Sequence, residues 1–301
     1  MTSRALLVAV SMSAGLLCST AAPQGVDAPL AATLREQAAA RFERIAGEAD
    51  GVIGYAIVDV ETGDRFTRLE TAAFPTASTI KLGVLYELLK QADEGRVDLD
   101  HPTPLDRSHA VAGGLLYHLT TPSLSPRDLA VAMIVQSDNT ATNVLIARLG
   151  MKAVNERMRA LGLTGTLLRR HMIDLDAAMR GEENVATPAD LAQLVLAFHR
   201  GEGLSARSGK TAAEILRIHK GTPIRTGVPD SVAIASKSGE LEGVRADAGI
   251  VYVTRRPYVF VAMGTYLREP DADAPLRALA HAAYEYFSRL ATISKYGRQI
   301  P

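Results

Sequence analysis

Three short clusters carry side chains suited to nucleophilic attack on a carbonyl: Ser78-Thr79-Ile80-Lys81, Ser137-Asp138-Asn139 and Lys237-Ser238-Gly239. In the first, serine and lysine stand three apart at the expected start of a helix and share a face, so Ser78 Oγ and Lys81 Nζ can meet. A partly desolvated amine beside another cation loses proton affinity and can act as a base toward a hydroxyl. The helix N-terminus adds backbone N–H groups and a positive dipole end for a developing oxyanion. Ser78 is the only serine in the chain with a lysine three residues on. In the second cluster, Ser137 can relay a proton to a leaving nitrogen and Asn139 can hold a substrate carbonyl. Asp138 or Asn139 equally suits an N-cap of the following helix. In the third, a strand edge can pair with an extended, amide-like substrate. Lys237 can bind a carboxylate there, and Gly239 lets the backbone come close.

These clusters need elements to hold them. Apolar spacing predicts a helix over Leu30–Ala46, then strands over Val52–Val60 and Arg65–Leu69 joined by a tight turn at Glu61–Asp64. Ser78–Ala92 reads as a helix that opens on the first cluster. Ser125-Pro126-Arg127-Asp128 starts a helix running to about Gln136, and Asn139–Leu149 is a second, ended by Gly150. Thr187-Pro188 starts another over Leu191–His199. Before it, Leu167–Asn184 is charged and lacks a sustained period, and loops of that length are often functional. Strands return at Val232–Ser236, Ala248–Thr254 and Tyr258–Met263, and Pro275 opens a last amphipathic helix. Strands at both ends with helices between suggest one sheet completed by both ends of the chain. A cleft between that sheet and the helices is the natural place for a site.

Together, in this order, the three clusters resemble the signature of class A β-lactamases and penicillin-binding enzymes, the last in its serine variant. Phe74–Lys81 and Gln136–Asn143 look like that family as well. The resemblance spans about residues 30–292. It implies an α/β fold with a five-stranded antiparallel sheet flanked by helices and an all-helical lobe inserted. The α/β lobe would comprise about residues 27–78 and 225–301 and the helical lobe about 79–224, in one catalytic domain over 27–301. By that resemblance Ser78 is the nucleophile of an acyl-enzyme, with its own N–H and that of Glu240 forming the oxyanion hole. Lys81 is then a base in acylation and Ser137 the proton relay. Asn139 binds the substrate's acylamide, and Lys237, Ser238 and Gly239 hold the substrate end that carries its carboxylate. Arg245 lies two residues before Asp247, where some family members place another carboxylate-binding arginine.

One part of the family pattern is missing. Class A enzymes carry a water-activating glutamate in the loop between the second and third clusters, with an asparagine four residues on. Taking Arg169 as the arginine at the loop's neck puts His171 at the glutamate position and Leu175 at the asparagine position. His171 could serve as the base, since imidazole titrates near neutrality. Asp174 or Asp176 could be brought in by a shifted loop, or no dedicated base exists and the acyl-enzyme leaves slowly. Three outcomes stay open: a β-lactamase, a D-alanyl-D-alanine peptidase or esterase, and a sensor acylated once.

Composition narrows the partners. The 301 residues carry 33 basic and 33 acidic side chains, with no basic stripe, which argues against nucleic acid and for a small substrate bearing a carboxylate. A β-lactam or a D-alanyl peptide fits, acting on a monomer without metal or organic cofactor. Residues 1–21 read as a signal peptide: Arg4, an apolar run from Ala5 to Cys18, and a Ser19-Thr20-Ala21 cleavage site. A secreted or periplasmic protein is expected. Cys18 is the only cysteine, and Leu17 before it disfavours lipid anchoring. Ser208-Gly209-Lys210-Thr211 imitates a P-loop but lacks its first glycine, since position 204 is Leu204. Gly113-Gly114 reads as a turn or a flexible rim and receives no role.

Overall fold

The computed structural model describes residues 28–299 apart from 121, 269 and 295. The expected signal peptide and Cys18 lie outside the described residues. Helix α1 (Ala28–Gly47) leads into strands β1 (Val52–Asp59) and β2 (Arg65–Arg68), followed by a short strand β3 (Phe74–Pro75). Asp59 Oδ1 accepts from Glu61 N (2.9 Å) and Thr62 N (3.2 Å), which closes the β1–β2 turn. A 3₁₀ turn over Ala77–Ile80 runs into α2 (Lys81–Asp93). Then come β4 (Thr103–Pro104), β5 (Ser123–Leu124), α3 (Pro126–Val135), α4 (Asn139–Leu149), α5 (Met151–Ala160) and α6 (Leu175–Met179). The chain continues with β6 (Val185–Ala186), α7 (Pro188–Arg200), α8 (Ala206–Arg217) and α9 (Pro223–Gly227). Strands β7 (Ile234–Leu241), β8 (Val244–Val251) and β9 (Tyr258–Thr265) and helix α10 (Ala274–Ala291) complete it.

The main sheet has five strands in the order β2-β1-β9-β8-β7, and every neighbouring pair is antiparallel. The expected sheet, built from both ends of the chain, is present. Side chains alternate across it, as a pleated strand requires. Ala56, Val58, Ala246, Ala248, Val259 and Val261 join the core under the central helices. Ile53, Tyr55, Ile57, Tyr258 and Phe260 face the other way, against Phe42 of α1 and Leu276, Leu279 and Phe287 of α10. The sheet is thus buried on both faces. Strand β7 is an edge, and that edge borders the site.

Four local expectations change. Ser78 lies in the 3₁₀ turn, and the α-helix starts at Lys81. Tight turns of this kind are frequent at helix starts, and here Thr79 Oγ1 bonds Thr76 O at 2.8 Å within it. Strand β7 runs on to Leu241, so Lys237-Ser238-Gly239 is strand interior rather than strand end. Its apolar pattern stops early because an edge strand need not bury every side chain. Strand β8 begins at Val244 because Arg245 and Asp247 are buried despite their charge. Segment 167–184 is not structureless: it contains α6, and Leu167 and Val185 exchange backbone bonds at its neck (2.8 and 3.1 Å).

Candidate active site

Ser78 stands at the mouth of a strained turn. Ala77 before it has φ 44°, and Ser137 across the cleft has φ 55°. Such left-handed backbone costs about 1–3 kcal/mol at a non-glycine residue and persists only where neighbours impose it. At the first position Thr76 imposes it: its N–H and its hydroxyl both donate to Asn184 O, at 2.9 and 3.1 Å. At the second, Asp138 caps α4 by accepting from Ala141 N (2.8 Å) and also accepts from Leu116 N (2.8 Å). Two glycines make that approach feasible. A Cβ on Gly114 would lie 2.2 Å from Asp138 Oδ2, and one on Gly113 2.4 Å from Asn139 Nδ2. Gly113-Gly114, given no role from sequence, therefore seats the second cluster.

Lys81 joins the first two clusters. It is fully buried, and its Nζ donates to Ser137 O (2.7 Å), Ser137 Oγ (3.1 Å) and Asn139 Oδ1 (2.9 Å). Ser78 Oγ is not among these acceptors. Burial, then the charge of Lys237, push the Lys81 amine well below its ordinary value, against a smaller upward pull from Asp138. An amine so placed gives up its proton more readily than an exposed lysine. Once neutral it has two donors left, and its lone pair is free to accept from a serine hydroxyl.

The third cluster closes the site from the sheet edge. A Cβ on Gly239 would meet Thr76 O at 2.6 Å and Ser78 N at 2.7 Å, so β7 lies directly against the Ser78 turn. Because β7 is an edge strand, alternate backbone groups along it have no strand partner. Lys237 is 3% exposed and donates to Ser238 O at 2.5 Å. Its pKa falls to about 8, first through burial, with Asp247 opposing and Lys220 assisting. Asp247 is fully buried and pushed up to about 6 by that burial, although Ile224 N donates to it at 2.9 Å.

Arg245 is not brought to the Lys81 cluster. It alternates with Ala246 and Ala248 of the central core, so it points to the opposite sheet face. There its guanidinium pairs with Asp273 (2.9 Å) and Glu240 (3.2 Å). It still lines a cavity of about 160 Å³ with Thr222, Ser238, Gly239 and Glu240.

The neck of the loop is tied by an ion pair. Arg170, not Arg169, makes the ion pair across the neck, with Glu183 (2.5 Å). Asn184 Oδ1 accepts from both Arg169 N (2.7 Å) and Arg170 N (3.1 Å). Counting from Arg170 puts Met172 at the glutamate position and Asp176 at the asparagine position. Met172 is 6% exposed in the central core, with Asn143 bonded to its N–H (2.8 Å) and its C=O (3.2 Å). The loop's two glutamates are engaged: Glu183 with Arg170, Glu182 with Arg180. His171 is half-buried and stacks on His109, with centroids 6.2 Å apart. Burial, then His109, lowers its pKa against the pull of Asp174, so its lone pair is available at neutral pH.

Known proteins carry the same frame. A family model described as "Beta-lactamase enzyme family" matches residues 37–287. The chain belongs to that family. An imipenem-hydrolyzing β-lactamase of Enterobacter cloacae is 26% identical over 78% of this chain and 83% of its own length. A β-lactamase of Nocardia asteroides is 27% identical and covers 93% of both. Among solved structures, PBP-A superposes with a TM-score of 0.77 at 27% identity, over 83% of this chain and 96% of its own. A β-lactamase of Sphaerobacter thermophilus gives 0.75 at 30% identity, over 82% and 95%. Family membership makes the chain a hydrolase of the β-lactamase type with that family's fold.

Proposed function

We propose that this family member opens a carboxylate-bearing amide, a β-lactam in the first instance, through an acyl-enzyme on Ser78. The supporting observation is Lys81: a fully buried amine bonded to Ser137 and Asn139, beside the turn that presents Ser78. Neutral Lys81 takes the Ser78 proton as Oγ attacks the carbonyl carbon. The oxyanion is received by the N–H groups of Ser78 and Glu240, which the contact at Gly239 draws together. The C–N bond then breaks, and Ser137 passes a proton from Lys81 to the leaving nitrogen. Asn139 holds the acylamide through Nδ2, which in the free protein donates to Ala112 O at 3.2 Å. Lys237 and Ser238 receive the substrate carboxylate, and Arg245, which lines a small cavity with Ser238, supports Ser238. Water then hydrolyses the ester. We propose export as well, with residues 1–21 removed.

A second outcome on the same machinery is slow deacylation, as in a penicillin-binding protein. The loop's carboxylates favour it, since both glutamates are engaged in ion pairs with loop arginines, Glu183 with Arg170 and Glu182 with Arg180. PBP-A, at 27% identity, shares the fold, and a variant of it forms an acyl-enzyme with penicillin G. His171 is then the base left in the loop. Intact-protein mass spectrometry during incubation with a penicillin and a chromogenic cephalosporin tests both readings. Expected is one covalent adduct on Ser78. If it decays with continuing hydrolysis, and decays more slowly in His171→Ala, the chain is a β-lactamase with a histidine base. If it persists, the chain is a penicillin-binding enzyme. No adduct with either compound overturns the proposal.

The carboxylate role predicts a pH profile. Lys237 is charged below its pKa of about 8 and neutral above it. Because kcat/KM reports the free enzyme, it should fall roughly tenfold per pH unit above that value. The fall should come from KM, and Lys237→Arg should remove it up to about pH 10, since arginine keeps its charge. An alkaline limb unchanged in Lys237→Arg would show that another group controls binding.

A further inference from the structure

A cavity of about 550 Å³ opens between α7, α8 and the β7–β8 edge. That is the volume of a small-molecule site. Its wall is apolar and buried, formed by Leu82, Val195, Phe198, Leu216, Ala235 and Ile250. Its rim is cationic, with Arg200, Lys210 and Arg217, and none of the described lining residues is acidic. Glu202 and Glu214 reach Arg200 (3.3 Å) and Lys210 (3.8 Å) from outside the cavity. Arg217 instead lies over the ring of Tyr252, 4.2 Å from its centroid, which holds the guanidinium at the mouth. His199 stands beside the same ring, 5.9 Å away.

An apolar wall under a rim of one sign selects one kind of ligand. A neutral apolar molecule would leave the rim unanswered, and a small inorganic anion would leave the wall wet. We propose that this cavity is a second binding site, separate from the Ser78 cleft, for an amphipathic anion: an aromatic or alkyl body with a single carboxylate or sulfonate head. The body lies against Phe198 and Ile250, and the head reaches Arg217 and Lys210. Leu82 and Ser236, the sequence neighbours of Lys81 and Lys237, line the cavity, so it adjoins the elements that carry both lysines.

The test is fluorescence titration of the mature protein with anilinonaphthalene sulfonate and with its uncharged counterpart phenylnaphthylamine. One saturable site is expected for the sulfonate, with the uncharged dye about tenfold weaker. Ala213→Trp, which fills the cavity, should abolish the signal. Arg217→Gln changes an exposed side chain and should weaken binding about fivefold without altering the melting temperature. The idea is overturned if no dye binds, if both dyes bind equally, or if Arg217→Gln and a folded Ala213→Trp bind as the parent does.

Discussion

Replacing Ser78 by alanine is expected to abolish the covalent adduct and to lower kcat/KM by roughly 10⁴-fold or more, the scale on which removal of a nucleophile acts in serine hydrolases. By transition-state arithmetic that is upward of ~5 kcal/mol. No other group is placed to substitute. Ser137 is the other hydroxyl beside Lys81, but it is already bonded to the amine and sits on the far side of the cleft, on the α3–α4 joint. Carboxylate binding should survive, because Lys237 and Ser238 belong to a different element from Ser78. Ser78→Ala should therefore bind penicillin reversibly, seen by calorimetry, with no mass shift on the protein. An adduct that persists in Ser78→Ala would move the nucleophile to Ser137, and a paired Ser137→Ala measurement would decide it.

What was legible in the chain follows from where the information resides. The three clusters could be read because each combines side chains whose chemistry is stated by their types and short spacing. Helix starts with strong local chemistry could be read too. Ser125 accepts from Asp128 N in a reciprocal capping box, and Thr187 accepts from Asp190 N, as their sequences require. Features defined by a distant partner could not. Gly113-Gly114 looks like any turn until Asp138 is found packed on it. Arg169 and Arg170 are indistinguishable in sequence, and only the structure shows that Arg170 makes the ion pair to Glu183, thirteen residues on. Helix α8 is amphipathic, with Ala212, Ile215 and Leu216 on its buried stripe, but Ser208-Gly209 in its first turn has the composition of a loop. Ser208 is satisfied by Asp93, at 2.6 Å from another helix.

The glycine at the centre of the third cluster supports the second large expectation. Gly239→Ala should slow acylation by roughly 10²–10³-fold, the loss typical when one oxyanion donor is removed or displaced. A methyl there would sit 2.6 Å from Thr76 O, 2.7 Å from Ser78 N and 3.0 Å from Ala77 Cβ. Two of those three atoms are backbone, and the turn they belong to cannot retreat. Its N–H and hydroxyl at Thr76 are tied to Asn184 O, and Ile80 behind it is buried in the core. The strand must move instead, carrying the Glu240 N–H away from the carbonyl that Ser78 attacks. Overpacking of this kind also costs about 1–3 kcal/mol of stability, so the melting temperature should fall modestly while the protein stays folded. Gly221→Ala is the matched control, because a Cβ there meets nothing within 4 Å. Substrate KM should change little in Gly239→Ala, since the carboxylate contact proposed for Lys237 lies two residues away. A fall in KM affinity with an unchanged acylation rate would mean that β7 binds substrate without completing the oxyanion site. Unchanged kinetics in both measures would mean the close approach of β7 to Ser78 has no part in the reaction.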